Sequence, residues 1–248
     1  ATGRAIIQLS QESHDNSIVL FPGTNHQVTM EEAQHVLKDF GEGDWLVMQN
    51  EISNGGDIMR AAKGRGMTIC FNPSPMTPDL PREFPMHLVD YLLINEIEAQ
   101  GLYSYLTKGN HGSDLSSSHV TAAESFPVLE SEYNQICGII ITLGGDGLVA
   151  RFRLNEEDVK MKEFRLGVVK GQVVNTTGAG DTFTGYFVAS LVRNQELNKR
   201  FTEEQLLAAL HEATHAASIA VSKEGAMDSI PIKGDVDSAM AAKKAKLE

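Results

Sequence analysis

The stretch that decides the fold is VVNTTGAGDTFTGYF, residues Val173–Phe187. Thr-Thr-Gly-Ala-Gly is followed at once by an aspartate, Asp181, and then by apolar residues at helical spacing. Glycine and alanine let a ligand approach the backbone closely, and a helix that begins here points its unpaired N–H groups at one spot. The helix dipole adds roughly half a positive charge there. The stretch therefore predicts either a strand-to-helix turn alone or an anion site with an acid at its edge.

Two roles for Asp181 fit these residues equally well. An acid in the first turn stabilises a helix N-terminus, so Asp181 can serve simply as a capping residue. Beside an anion site, the same carboxylate can act as a general base. The choice between the two roles depends on the residues that follow the other predicted strands.

Outside this stretch, short apolar runs alternate with longer amphipathic ones. Two strands are predicted near the start, in AIIQL and SIVLF, followed by a helix with Thr29 as N-cap and Glu32 three residues on. Further strands are predicted in DWLVMQN, MTICFN, VDYLLIN, CGIIITLG, GLVARFR and EFRLGVVKGQVV (Glu163–Val174). The last clear helices are predicted at Asp181–Val192 and Glu203–Ser222. This alternation predicts an α/β fold, a three-layer mostly parallel sheet with helices on both faces.

The length of 248 residues fits one large domain or two small ones. We expect a single α/β domain over 1–248, with a strand pair in 1–25, a core in 26–231 and a C-terminal tail in 232–248. The formal net charge of −12 argues against a nucleic-acid partner, because such proteins show a basic surface. No apolar run approaches the ~20 residues that span a bilayer, so no membrane partner is expected.

The two cysteines, Cys70 and Cys137, each lie inside an apolar run. Buried, reduced thiols are therefore expected rather than a disulfide, and a cytoplasmic location follows. The start of the chain shows no secretory pattern. The sequence does not indicate the oligomeric state.

In a mostly parallel sheet, ligands bind at the carboxyl ends of the strands, so the residues directly after each apolar run are site candidates. Asn95 and Glu98 follow one such run, and their spacing also fits a capping arrangement with Asn95 as N-cap. ITLGGDG, Ile141–Gly147, leaves another strand for a glycine turn, which also fits a tight hairpin. Both interpretations of each motif stay open on these residues alone.

HEATH, His211–His215, matches the H-E-x-x-H pattern, in which two histidines on one helix face bind zinc and the glutamate acts as base. A catalytic zinc also needs a third protein ligand. No histidine follows His215, and the nearest downstream acid, Glu224, lies in a predicted loop. A structural role in a packed, Ala-rich helix is therefore favoured over a zinc site.

Together, the ordered motifs resemble those of the ribokinase family, the PfkB-type carbohydrate kinases. NTTGAGDTFTGYF resembles the family's C-terminal pattern, NEIE its N-x-x-E and TLG its T-x-G. FPGTN resembles the end of its strand pair, MQNE the strand end whose acid meets sugar hydroxyls, and FNPSP its Asn-Pro-x-Pro turn. The order holds from Thr2 to Pro231, while the family's N-terminal strand and lid are expected to be missing here.

The resemblance implies ATP-dependent phosphorylation of a sugar hydroxyl, with ribose the first candidate and Mg²⁺ as cofactor. Asp181 would be the general base, and the backbone of Gly178, Ala179 and Gly180 would form an anion hole for the transferring phosphoryl group. The remaining implied ligands are Asn95, Thr142, Gly144 and Gly147 for ATP; Asn25, Glu51 and Asp181 for the sugar; and Asn95 and Glu98 for Mg²⁺, largely through water.

Two departures from the family pattern qualify these expectations. Asn175 stands where potassium-activated members often have Asp, and a neutral amide is a weaker cation ligand than a carboxylate, so no strong monovalent-cation site is expected. The segment expected to be missing carries part of the family's sugar site. The alternative is therefore a truncated or degenerate kinase-fold protein that binds nucleotide without phosphorylating sugar.

Overall fold

The chain divides into two compact units in the computed structural model. The model describes residues 1–9, 16–108, 120–155, 157–158, 160–169, 171–197 and 199–244. The first unit comprises Ala1–Arg4, Phe21–Gly144 and Leu148–Arg165. The second comprises Ala5–Leu20, Gly145–Gly147 and Leu166–Glu248. The division into strand pair, core and tail stays a prediction.

The chain begins with a pair of strands, β1 Arg4–Leu9 and β2 Asn16–Phe21, which form a two-stranded sheet. This pairing confirms the two strands predicted in AIIQL and SIVLF. The polar residues between them, 10–15, lie outside the described residues. A 3-10 helix, Gly23–Gln27, follows β2.

The main sheet contains six strands: β3 Trp45–Met48, β4 Thr68–Phe71, β5 Tyr91–Asn95, β6 Gly138–Thr142, β7 Leu148–Phe152 and β8 Lys162–Leu166. They lie side by side in chain order. Strands β3 to β6 are parallel, and β7 pairs with β6 antiparallel. The predicted α/β class with a mostly parallel sheet is therefore confirmed.

The helices of the first unit are α1 Met30–Leu37, α2 Gly55–Lys63, α3 Leu80–Glu83, α4 Glu96–Lys108 and α5 Ala122–Glu132. Strands β3 to β6 advance in one direction, and crossovers between parallel strands are right-handed, so the connecting helices lie on one face of the sheet. Helix α2 packs on β3 and β4, and α4 packs on β5 and β6. One apolar cluster joins these helices to the sheet, with Met59, Phe71, Phe126 and Ile141 fully buried in it.

The middle strands of the sheet, β4 to β6, are apolar on both faces, as their unbroken hydrophobic runs predict. In β6, Ile139 and Ile141 belong to the cluster beneath the helices, and Ile140, which points the other way, is equally buried. Consecutive buried residues of this kind explain why the sequence GIIIT lacks the alternation of a half-exposed strand.

One predicted strand is shorter than expected. Glu163–Val174 was predicted to be a strand throughout, whereas β8 ends at Leu166. The N–H groups of Val174 and Asn175 donate to the carbonyl of Val221 at 2.7 and 3.1 Å instead of to a strand neighbour. Gly167 directly follows the strand, and a glycine favours irregular backbone there.

The second unit contains three helices, α6 Ala179–Asn194, α7 Glu203–Val221 and α8 Lys233–Lys244. Helix α7 packs against both α6 and α8. The first two confirm the helices predicted in this region. Helix α8 lies within 232–248, and its Val236 is fully buried, whereas most of its other described residues are exposed.

The predicted start of α1 is confirmed in detail. The N–H of Glu32 donates to Thr29 Oγ1 at 3.2 Å, and the N–H of Thr29 donates to Glu32 Oε2 at 2.9 Å. This reciprocal capping box satisfies N–H groups that the helix itself leaves unpaired. Within the described part of the chain, no helix is long and apolar enough to cross a membrane.

Candidate active site

The carboxyl ends of β3 to β6 lie along one edge of the sheet, because these strands are parallel. Polar or charged residues lie at the ends of all four strands: Glu51 and Asn72 follow β3 and β4, and Asn95 and Thr142 are the last residues of β5 and β6. The strand register places Asn95 directly beside Thr142. The structure thus brings together, within the first unit, several of the residues predicted from sequence.

Asn95 and Glu98 hold each other at the start of α4. The N–H of Glu98 donates to Asn95 Oδ1 at 2.9 Å, and the N–H of Asn95 donates to Glu98 Oε2 at 2.8 Å. The capping arrangement that the sequence allowed is therefore formed. Glu98 is only 4 % exposed, so its carboxylate is fixed at the sheet edge by donors rather than by bulk water.

Thr142 and the glycine turn after it follow β6. Thr142 Oγ1 donates to the carbonyl of Ile94 at 3.4 Å, a long bond that links β6 to β5. Gly144 has a φ of +52°, and a Cβ placed there would meet no described atom within 4 Å. Gly144 therefore lies beside open space, which suits close approach of a ligand to the backbone.

Gly147, in the second unit, has a different reason to be glycine. Its φ is +91°, and a Cβ there would lie 2.1 Å from the carbonyl oxygen of Leu166. The backbone of β8 occupies the space that a side chain would need. Its role in binding ATP stays a prediction, while its packing role follows from this contact.

Asn25 and Glu51, the predicted sugar ligands, lie on connected segments of the first unit. The N–H of Ser53 donates to the carbonyl of Asn25 at 3.1 Å, and Ser53 Oγ donates to the carbonyl of Val28 at 2.8 Å. Ser53 therefore fastens the 3-10 helix that carries Asn25 to the loop that carries Glu51. Both predicted ligands are exposed.

The Gly178–Asp181 turn begins α6 in the second unit. Gly178 is the N-cap, with a φ of +78°, and its position lacks a side-chain cap. The N–H of Ala179 donates to the carbonyl of Thr176 at 3.2 Å. A Cβ at Gly180 would meet no described atom within 4 Å, and Asp181 is exposed in the first turn. The helix start thus combines an open backbone with a nearby carboxylate.

The loop before this turn is held by the end of α7. Asn175 is buried, and its Oδ1 accepts a hydrogen bond from the N–H of Thr177 at 2.9 Å. The backbone N–H of Asn175 donates to the carbonyl of Val221 at 3.1 Å. The Asn175 amide oxygen is therefore already used inside its own turn.

Two of the H-E-x-x-H residues on α7, Glu212 and His215, form hydrogen bonds with other residues of the second unit. The Nδ1 of His215 lies 2.8 Å from the carbonyl of His211 and must donate to it, since a carbonyl only accepts. Glu212 accepts two hydrogen bonds from Arg193 Nη2, at 2.6 and 2.8 Å. The described residues contain no group of three or more His, Cys, Asp or Glu that could hold a metal ion.

Two residues of the site received no role from the sequence. Asn72 follows β4, and its side chain contacts both Gln49 and Glu98. Its position after an apolar run marked it as a site candidate, although nothing in the sequence named its partners. Gln49 carried no signal, because its contact depends on the pairing of β3 with β4.

The comparisons with known proteins agree on one family. The sequence model of the pfkB family carbohydrate kinases matches residues 1–233. The ribokinase of Haemophilus influenzae is 31% identical over 237 residues, covering 94% of this chain and 67% of that protein.

Two solved structures show the same relationship. The Cryptococcus neoformans var. grubii ribokinase in complex with ADP has a TM-score of 0.75 and 32% identity, covering 96% of this chain and 71% of that one. The Thermotoga maritima ribokinase has a TM-score of 0.67 and 26% identity, covering 96% and 69%.

The fold and these matches define the class: the chain belongs to the pfkB family of carbohydrate kinases. The resemblance to ribokinase-type kinases inferred from the motifs is thereby confirmed, as is the class of ATP-dependent carbohydrate kinases. The chain spans about two thirds of the length of the curated relatives it matches.

Proposed function

We propose that this chain transfers a phosphoryl group from ATP to a sugar hydroxyl, with ribose the first candidate. The observation that carries the proposal is the start of α6, where a left-handed glycine, an open glycine and an exposed aspartate occur in four residues. The similarity to ribokinases supports the choice of ribose.

Asp181 is the proposed general base. Its carboxylate accepts the proton of the sugar hydroxyl while the hydroxyl oxygen forms its bond to the terminal phosphorus of ATP and ADP leaves. Phosphoryl transfer depends chiefly on positioning and charge stabilisation. A base beside an anion site can therefore supply the groups that this reaction needs at the start of α6. Its place in the first helical turn is compatible with this role, because the N-cap position belongs to Gly178.

The anion hole is proposed in the backbone from Gly178 to Gly180. The N–H groups of a first helical turn have no partner inside the helix, and the dipole favours negative charge there. Because the N–H of Ala179 already donates to Thr176, Gly180 is expected to contribute more than Ala179. Thr142, Gly144 and Gly147 are proposed to line the nucleotide site.

The residues at the end of β5 fit a hydrated Mg²⁺. Mg²⁺ prefers oxygen ligands and keeps several of its waters. Glu98 offers a buried carboxylate held by N–H donors, while the Oδ1 of Asn95 is already engaged by the N–H of Glu98. This arrangement favours contact through water, and the ion would supply charge neutralisation for the ATP phosphates.

The dimensions of the sheet edge suit the two substrates. The proposed sugar ligand Glu51 follows β3, whereas Asn95 and Thr142 end β5 and β6, two and three strands away. At ~4.8 Å between strands, the sugar ligand and the nucleotide ligands are separated by roughly 10–15 Å. A sugar and the phosphates of ATP can therefore lie along this edge.

The proposal is tested by replacing the base. Asp181→Asn keeps the size of the side chain but accepts a proton poorly, so we expect sugar-dependent ADP formation to fall by about 100-fold or more. The control is Asp235→Asn, which changes another exposed acid in the first turn of a helix, α8. The rate of this control should equal that of the unchanged chain.

Two outcomes would contradict the proposed sugar kinase function in different ways. Full activity in Asp181→Asn would overturn the role of Asp181. Binding of ATP by calorimetry, without turnover on any pentose or hexose, would instead support the nucleotide-binding alternative.

A further inference from the structure

The side chain of Asn72 lies at the centre of a chain of hydrogen bonds that crosses the sheet edge. Gln49 Nε2 donates to Asn72 Oδ1 at 2.7 Å, and Asn72 Nδ2 donates to the carbonyl of Leu93 at 2.8 Å. These contacts join residues that follow β3 and β4 to the backbone of β5. The Asn72 side chain thus spans three neighbouring strands.

The same nitrogen of Asn72 also reaches the proposed metal ligand. Asn72 Nδ2 donates to Glu98 Oε2 at 3.2 Å, and the N–H of Asn95 donates to the same oxygen at 2.8 Å. Two N–H donors therefore converge on one carboxylate oxygen of a side chain that is 4 % exposed. Such charge-assisted bonds fix the orientation of an ionised carboxylate.

The orientation of each amide follows from its neighbours. The carbonyl of Leu93 only accepts, so the group of Asn72 that faces it must be the NH₂. Asn72 Oδ1 then faces Gln49, and Gln49 must present its NH₂ in turn. Removing the Gln49 donor therefore loosens the orientation of Asn72, and through it the bond to Glu98.

We propose that Asn72 is a positioning residue for the Glu98 carboxylate, and that Gln49 supports it from the next strand. The inference rests on the proposed function, in which Glu98 helps to hold Mg²⁺. Residues that orient metal ligands from behind typically change metal affinity by about 10–100-fold when they are replaced. Asn72 and Gln49 thereby couple the ends of β3 and β4 to the metal site at β5.

The test measures binding of Mn²⁺, a spectroscopic substitute for Mg²⁺, in the presence of ADP by electron paramagnetic resonance. Asn72→Leu retains a similar volume without the amide, and we expect about 10-fold weaker Mn²⁺ binding. Gln49→Met should weaken it by a smaller factor and provides a second, milder test of the same chain of bonds. In a Glu98→Gln background, Asn72→Leu should have little further effect, because the two act through one carboxylate.

The matched control is Asn50→Leu. Asn50 Nδ2 donates to the carbonyl of Pro75 at 2.9 Å, so this variant also removes one amide-to-carbonyl bond after β3 without touching Glu98. Its melting temperature is expected to fall while Mn²⁺ affinity is retained. If the role of Asn72 is purely structural, Asn72→Leu should also lower the melting temperature and retain Mn²⁺ affinity.

The outcomes separate this inference from the function on which it rests. If Glu98→Gln weakens Mn²⁺ binding while Asn72→Leu and Gln49→Met bind it like the unchanged chain, the positioning role is wrong and the proposed metal site stands. If Glu98→Gln binds Mn²⁺ as tightly as the unchanged chain, the metal role of Glu98 is wrong and the inference falls with it. Sugar-dependent ADP formation by the unchanged chain tests the kinase activity separately.

Discussion

At the scale of single residues, two glycines show how similar sequence signals have different physical causes. Gly147 has backbone of β8 in the place of a side chain, whereas Gly180 faces open space. The first glycine is required for packing. The second permits a ligand to reach the start of α6, which is where the proposed anion hole lies.

Gly180→Ala should separate activity from stability. The added methyl meets no described atom within 4 Å, and alanine is a better helix former than glycine, so the melting temperature should be unchanged or higher. Sugar kinase activity should fall by about 100-fold, the loss that a misplacement of ~1 Å in a reacting group produces. Thermal melting and steady-state kinetics on one preparation provide both measurements, and retained activity would contradict the anion hole.

Gly147→Ala should have the opposite effect. Its φ of +91° and the 2.1 Å approach to Leu166 require the backbone to move, so we expect the free energy of unfolding to fall by about 2 kcal/mol. Urea unfolding measures this change. Wild-type stability in this variant would mean that the turn after β6 adapts more easily than its geometry suggests.

The two cysteines should differ in reactivity. Burial raises the pKa of the Cys70 thiol to about 12, and the charge of Asp90 adds to the shift. A raised pKa means that the reactive thiolate is scarce at neutral pH. Iodoacetamide should therefore label Cys70 only after unfolding in urea, as read by mass spectrometry, while the half-buried Cys137 labels sooner. Equal labelling of both in the folded chain would contradict this burial.

At the scale of elements, helix α7 shows how a motif with catalytic spacing can serve packing. The Nε2 of His215 is buried and has no hydrogen-bond partner among the described residues. Glu212, 8 % exposed, is paired with Arg193 from α6 and lies 3.7 Å from Lys233 of α8. These contacts tie the three helices of the second unit together.

His215→Leu therefore distinguishes a packing role of this histidine from a zinc-binding role. Leucine removes the unpartnered Nε2, which relieves a desolvation cost, but it also removes the Nδ1 hydrogen bond to His211, so the melting temperature should change little. Sugar kinase activity should be unaffected. A loss of bound zinc or of activity in this variant, measured by metal analysis and ADP formation, would revive the zinc interpretation.

Many of the helices and strands could be predicted from the sequence, because the signals for them come from residues close together in the chain. The Thr29–Glu32 capping box, the strand GIIIT and the start of α6 each follow from residues close in sequence. The end of β8 was missed because apolar residues continue past Leu166 while the backbone bonds instead to Val221. The Gln49–Asn72–Glu98 contacts were missed because they depend on which strands are neighbours.

At the scale of the whole molecule, the candidate site residues fall in both units. Asn25, Glu51, Asn95, Glu98, Thr142 and Gly144 belong to the first, while Gly147 and Gly178–Asp181 belong to the second. The proposed base and anion hole thus belong to the second unit, and most of the proposed metal, sugar and nucleotide ligands belong to the first. Because the candidate residues are distributed over both units, kinase activity is measured on all 248 residues rather than on either unit alone.

The most direct measurement follows the phosphorus NMR spectrum of the purified chain with ATP, Mg²⁺ and ribose. We expect ADP and a new sugar phosphomonoester signal to grow together, both to require the sugar, and both to be lost in Asp181→Asn. ADP that forms at the same rate with and without every sugar tested, or bound ATP that never turns over, would contradict the proposed function.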